Sequence, residues 1–291
     1  MQVVYHLGVH CTDEDQLLKC LLKNRGPLAE QGTVIPNPGR CRKPLREALR
    51  ALNGRPATAD MQEMLLDAVM DEDHAERLVF SQKSFLAAPA RALEMNMLYH
   101  EAGEKTAALA QLFPQAECQF HIGIRNPATH IPALFASTNE SDFAGFVAGI
   151  DPRALRWSDM IARIRNAAPD ASVTVWCNED TPLIWNELLG ELAGHDPLKE
   201  LEGSYDFLST IMTEAGLKRM QDYLQKHPPQ NELQRRRVVA AFLDKFAIEE
   251  EIEEELDLPG WTEDLVEELT EAYEEDLFEI ERLGGVRFIT P

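Results

Sequence analysis

The sequence predicts a three-layer α/β/α fold with a mostly parallel central sheet of about five strands, plus a C-terminal helical hairpin. Three observations lead there. Short runs rich in β-branched and aromatic residues recur along the chain, the longer segments between them carry apolar residues at helical spacing, and from about Gln230 the pattern turns purely helical. Strands alternating with helices imply right-handed crossovers and parallel pairing, with both sheet faces covered.

In chain order, QVVYHLG (2–8) reads as the first strand, TVI (33–35) as a shorter one, and RLVFS (77–81), QFHIGIR (119–125) and SVTVWC (172–177) as the rest. Met61, Met64, Leu65, Ala68 and Val69 mark one intervening helix; Trp157, Met160, Ile161 and Ile164 mark another. Later, Leu233, Val238, Phe242 and Phe246 share a helical face, and Pro259-Gly260 interrupts. The last helix starts near Thr262, its N-cap, with Trp261 as a staple against Val266 and a stripe continuing through Leu269, Tyr273, Leu277 and Ile280. GGVRFITP offers one more short strand. With no repeat or low-complexity linker, residues 1–291 are expected to form one domain, of which 231–291 is an acidic helical extension.

At 291 residues and 44% hydrophobic content the chain can bury a substantial core. No apolar run approaches the roughly 18 residues that span a bilayer, and no basic segment followed by a long apolar stretch opens the sequence. No membrane partner and a cytoplasmic location are therefore expected. Cys11, Cys20, Cys41, Cys118 and Cys177 are scattered and never spaced as CxxC, a pattern of reduced thiols.

The net charge of −22 is local: 17 acids and no base lie between Glu249 and Glu281, leaving 33 acids against 28 bases elsewhere. A negative surface repels nucleic acid, so no nucleic-acid partner is expected. The acidic segment reads either as a solvated surface or as a docking surface for a basic protein partner or a cation. Arg235, Arg236 and Arg237 stand near the start of the first helix and Glu249 to Glu255 near its end, against the helix dipole. Folding the last helix back would bring Glu279 and Glu281 to those arginines.

Parallel sheets bind ligands where strands end and helices begin, which directs attention to Gly8-Val9-His10 and Ile124-Arg125-Asn126. A strand, a sharp turn and a helix present backbone N–H groups to an anion. Yet this turn holds Asp13, Glu14 and Asp15, and GxxxxGK[ST] occurs nowhere. One reading makes the loop self-capped, with Thr12 as N-cap, Asp13 and Glu14 in the first turn and Asp15 at N3; each acid there contributes about 0.3–1 kcal/mol. The other keeps an anion site or an altered ligand site. His6, His10 and the three acids are suitable types for a divalent ion, but their spacing puts histidines on a strand and acids on the next helix, and no metal is expected.

HLGVHCTDEDQLL resembles the opening of the cytosolic-type and carbohydrate sulfotransferases, where a strand ends close to HxGxHKTGTTxL. FHIGIRNPATHIPALFAS is similar to the family's second nucleotide signature, and WCNEDTPLIWNELL resembles a further strand, acidic turn and helix of it. The likeness runs over roughly residues 3–30 and 77–180. It implies a P-loop-like fold that holds 3′-phosphoadenosine 5′-phosphosulfate (PAPS), with Gly8, His10, Thr12 and Arg125 as the nucleotide-binding positions. The departures are chemical: Cys11 stands at the lysine that contacts the transferring sulfuryl group, Asp13, Glu14 and Asp15 replace Gly, Thr and Thr, and Ala133 replaces a serine on the 3′-phosphate. Three carboxylates repel a phosphosulfate at short range.

LVFSQKSFL resembles the family's strand that ends in serine before a glutamate near the acceptor; Gln82 and Lys83 stand there instead, and Lys83 reads either as a solvated lysine or as a catalytic candidate, a substitute cation. His10 is a second, as a base; His100, His121 and His130 are equally admissible and the sequence does not rank them. The expectation is a diverged sulfotransferase-like protein with a degraded PAPS site, acting as a binding or regulatory protein or on an altered ligand. The alternatives are an active PAPS-dependent sulfotransferase for a small-molecule or carbohydrate hydroxyl, and an interaction module working through 231–291.

Overall fold

The computed structural model describes residues 1–252 and 257–291. β1 (Gln2–His6) leads through α1 (Gln16–Lys23) and α2 (Arg25–Ala29) to the short β2 (Thr33–Val34), and α3 (Pro38–Leu52) and α4 (Ala59–Val69) return the chain to β3 (Arg77–Ser81). α5 (Ala102–Leu112) precedes β4 (Glu117–Ile124), and α6 (Pro127–Ala136), the one-turn α7 (Phe143–Phe146) and α8 (Trp157–Ala167) precede β5 (Ser172–Cys177). α9 (Thr181–Ala193), α10 (Leu208–Ile211), α11 (Glu214–Lys226), α12 (Glu232–Phe246), α13 (Glu249–Ile252) and α14 (Glu263–Arg282) then lead to β6 (Val286–Ile289).

The strands form one six-stranded sheet in the order β2-β3-β1-β4-β5-β6, parallel throughout, so the three-layer expectation holds and GGVRFITP supplies the sixth strand. β1 lies inside the sheet with Tyr5 opposite Phe80 on one side and Phe120 on the other. The Tyr5 ring stacks on both at 5.6 and 5.8 Å between centroids, and its hydroxyl donates to the Leu109 carbonyl at 3.0 Å. Val3 and Tyr5 face a core shared with α3, α5, α8 and α14, while Val4 faces one shared with α1 and α9. Burial on both faces is why these strands read as continuous apolar runs rather than alternating ones.

Chain direction decides where a site falls. From β1 the chain turns towards β2, and from the adjacent β4 it turns the opposite way towards β5. Connections that diverge from neighbouring strands leave a crevice between their carboxyl ends, here between the 7–15 loop and Arg125.

The C-terminal segment departs from the expected helical pair. α12 packs on α11 and α9, whereas α14 packs on α8 and α6, on the opposite sheet face. The reason is the apolar stripe of α14: Leu265, Leu269, Tyr273 and Ile280 are buried in the main core rather than against α12. Arg235 accordingly pairs with Glu232, Arg236 with Glu187, and Glu279 with its own neighbour Arg282. Nor does the first helix run on to Glu255: α12 ends at Phe246 and α13 is separate, while the part of that expectation on residues 253–256 lies outside the described residues. Thr262 does cap α14, accepting from the Leu265 N–H at 3.2 Å. Trp261 is buried edge-on to Phe143 and donates to the Ala128 carbonyl at 2.9 Å, which pins the start of α14 to α6. Met64, placed on the inner face by its spacing, is 64% exposed, while Leu65 and Val69 are buried. None of the described helices is long and apolar enough to cross a membrane, and all five cysteines are free.

Candidate functional site

The loop after β1 is built by close packing. The Leu7 N–H extends the ladder by donating to the His121 carbonyl at 3.0 Å. Gly8 then turns with φ +54°, and a Cβ there would lie 2.8 Å from Lys83 Cα. Glycine is thus required by the chain leaving β3, independently of any ligand. Cys11, Glu14 and Asp15 also take positive φ, at 59°, 50° and 61°, an unusual density for residues with side chains.

The self-capping is real, but its residues differ from those the spacing implied. α1 starts at Gln16 with Asp15 as its left-handed N-cap, and no acid occupies its first turn. Thr12 is drawn back into the loop, its Oγ1 donating to the Val9 carbonyl at 2.8 Å. Asp13, only 7% exposed, does the capping: Oδ2 accepts the Leu17 N–H at 2.9 Å and its carbonyl accepts the Gln16 N–H at 2.8 Å. The three positive-φ positions, which no periodicity rule anticipates, delay the helix past the acids.

Both candidate cations meet the loop. Arg125 Nη1 donates to the Cys11 carbonyl at 2.6 Å and its Nε to Thr129 Oγ1 at 3.0 Å. Lys83 is 3.5 Å from Asp15 Oδ2, an ion pair whose lysine is half exposed. Ser137, one turn beyond Ala133 at the C-cap of α6, donates to the Leu134 carbonyl at 2.7 Å, and burial pushes the Cys11 thiol up. Gly8, His10, Thr12 and Arg125 therefore do come together around one loop, with Lys83 at its edge.

His10 is turned inward. Its backbone N–H donates to Tyr99 Oη at 3.1 Å, and Nδ1 lies 2.9 Å from the same oxygen. The Nδ1–Oη contact carries one proton, supplied by the phenol or by the ring according to the His10 tautomer. Burial first, and Lys83 second, push the His10 pKa down to about 4. A buried neutral imidazole bound to a phenol is not placed to deprotonate an acceptor hydroxyl. The other three histidines are spread out: His100 lies between Glu94 and Glu101, His121 is buried in β4 with its pKa pushed down to about 3, and His130 is fully buried on α6.

Four participants escaped the sequence. The Asn126 N–H donates to Glu179 Oε1 at 2.7 Å, Tyr273 Oη donates to Glu179 Oε2 at 3.2 Å, and Asn126 Nδ2 donates to Thr270 Oγ1 at 2.9 Å, so β5 and α14 brace the end of β4. Tyr99 is the third brace. The acidic turn in WCNEDTPL was the one available signal for Glu179; nothing marked Tyr99. Three surface cavities of about 570, 410 and 440 Å³ lie elsewhere: two along α14, and one around His121 and Arg287. Among the described residues no group of three or more His, Cys, Asp or Glu could hold a metal.

Fold and site together define an α/β protein with a braced loop at the switch point of a parallel sheet. The chain is similar in structure to a sulfotransferase from Alicyclobacillus acidocaldarius, with 12% identity over 90% of this chain and 98% of that one, at a TM-score of 0.41. No family model matches the chain, and no curated protein matches it.

Proposed function

We propose that this is a sulfotransferase-like protein whose phosphosulfate loop has been rebuilt to close on itself, so that it works by binding a different ligand or partner rather than by transferring a sulfuryl group from PAPS. The observation that carries this is the Asp13 carboxylate on the Leu17 N–H. The positive end of α1, where an anion would be received, already holds a negative charge from within. Supporting it are Cys11 at the position of the lysine in the resembled motif and the use of Lys83 on Asp15.

The convergence of Arg125 and Lys83 on the loop favours a second reading, an active PAPS-dependent enzyme in which those cations replace the missing contacts. A thermal-shift titration with 3′-phosphoadenosine 5′-phosphate (PAP) separates the two. A ligand at a hundredfold excess over its Kd stabilises the folded state by about 2.7 kcal/mol, which is several degrees of Tm for a protein of this size. The self-closed loop predicts no saturable shift at neutral pH. A clear shift, or sulfate transfer to any acceptor, would overturn it.

A further inference from the structure

Beneath the loop lies a group that neither reading uses. His10 and His130 are 3% and 0% exposed, and among the described residues three of their four ring nitrogens, His10 Nε2 and both of His130, have no hydrogen-bond partner. Buried polar atoms are rarely left this way. The rings sit in an aromatic stack: His10 on Tyr99 at 5.9 Å, Tyr99 on Trp157 at 6.2 Å, and His130 beside Trp157 at 5.3 Å.

Among the described residues no carboxylate pairs with either ring. The groups acting on His10 are Lys83 from the end of β3, with Tyr99 and Cys11 adjoining. Those acting on His130 are Arg125 from the end of β4 and His10 itself. Among the described residues the charged groups that act on the two rings are cations, Lys83 being paired with Asp15 at the loop's edge, and burial acts in the same direction. Tyr99 holds a φ of 46°, a conformation costly for an aromatic residue, while its hydroxyl is the clasp on His10.

We propose that His10 and His130 form an acid-released latch: both must stay neutral for the 7–15 loop to lie against Tyr99 and α6, and their protonation frees the loop while the sheet remains folded. The proposal rests on the reading of the loop as closed at neutral pH and adds what opens it. If opening exposes both rings to water, each takes up a proton below about pH 6.5, and the opening equilibrium grows by up to about 100-fold per pH unit.

Hydrogen exchange read by mass spectrometry on the wild-type chain tests this between about pH 7 and about pH 5, after correction for intrinsic exchange rates. The expected result is that protection in a 5–20 peptide falls increasingly steeply below about pH 6.5, the slope approaching about 100-fold per pH unit near pH 5, while that of 172–177 holds. In His130→Gln the dependence should drop to about 10-fold per unit. Loop protection that does not change with pH, or that falls only together with 172–177, would overturn the latch, as would an unaltered slope in a folded His130→Gln. If that variant does not fold, the wild-type comparison decides alone. The measurement uses no nucleotide, so the two failures are distinguishable: PAP binding at neutral pH sinks the closed-site reading on which the latch rests, whereas a flat exchange profile sinks the latch alone.

Discussion

Arg125 Nη1 donates to the carbonyl of Cys11 at 2.6 Å, joining the end of β4 to the loop that leaves β1. The contact spans the crevice where a doubly wound sheet ordinarily receives its ligand, and it serves the loop's own backbone. The loop's cations, helix terminus and glycine all have partners within the chain, which makes the site testable by taking those partners away.

Cys11→Lys combined with Asp13→Gly and Asp15→Thr should install an anion site. Losing the Asp13 cap costs about 0.5–2 kcal/mol, so the variant should melt lower than the parent and regain stability on adding PAP. Calorimetric titration checks it; a folded triple variant with no PAP affinity would count against the motif alignment.

Gly8→Ala should be severe for a single methyl group. The position has φ +54°, and the new Cβ would approach Lys83 Cα at 2.8 Å. The left-handed conformation alone costs about 1–2 kcal/mol, and the backbone clash adds to it. Urea denaturation should show a loss above about 2 kcal/mol, with β3 displaced at Gln82 and Lys83.

Asp276 on α14 accepts from the Trp157 N–H at 2.6 Å, the Ser158 N–H at 3.2 Å and the Ser158 hydroxyl, capping α8 from another helix. Asp276→Ala leaves buried donors unsatisfied and should destabilise the protein by about 1–3 kcal/mol, measured by the urea midpoint. Ser158→Ala, which keeps both backbone contacts, should cost less.

Asp180 supplies a pH signature. Burial first and Glu179 second raise its pKa to about 6, against an opposing contribution from Arg236. A carboxyl raised on folding lends stability that is complete below its unfolded pKa of about 3.9 and is lost as pH rises through about 6. Asp180→Asn should therefore flatten the stability profile between about pH 4 and 6 and leave the protein more stable than the parent at pH 7. Chemical denaturation at stepped pH reads it, and parallel profiles would show that Asp180 ionises without penalty.

Along the first cavity on α14, Glu263, Glu267 and Glu271 recur every fourth residue, followed by Glu274. Like charges at that spacing repel by about 0.2–0.5 kcal/mol per pair. Changing all four to Gln should raise the Tm slightly at low salt and not at high salt. Deleting 231–291 is not a clean way to remove this surface. It would strip buried Leu269 and Ile280 from the core and β6 from β5, so unfolding is the expected outcome.

The sheet was legible because strands buried on both faces write themselves as continuous runs such as SVTVWC, and Thr262 was legible because capping is local in sequence. The partner of α14 was not. Its stripe from Leu265 to Ile280 declares a buried face without saying which surface covers it, and Pro259-Gly260 permits a fold-back that the core outcompetes. In the loop, residue types pointed to a self-capped turn but to the wrong cap, since the positive φ at Cys11, Glu14 and Asp15 accompanies a helix that starts only after the acids. Tyr99 lies 89 residues from His10, beyond the reach of any local pattern.

The interior position of β1 also bears on how the chain is made. Gln2 finds one neighbour at Arg77 and the other at Glu117, so β1 keeps one edge open until β3 is made and the other until β4 follows. Such delayed pairing is slow and exposes apolar backbone to other chains. Refolding of this sheet should therefore be slower than that of a chain of equal length built from local contacts.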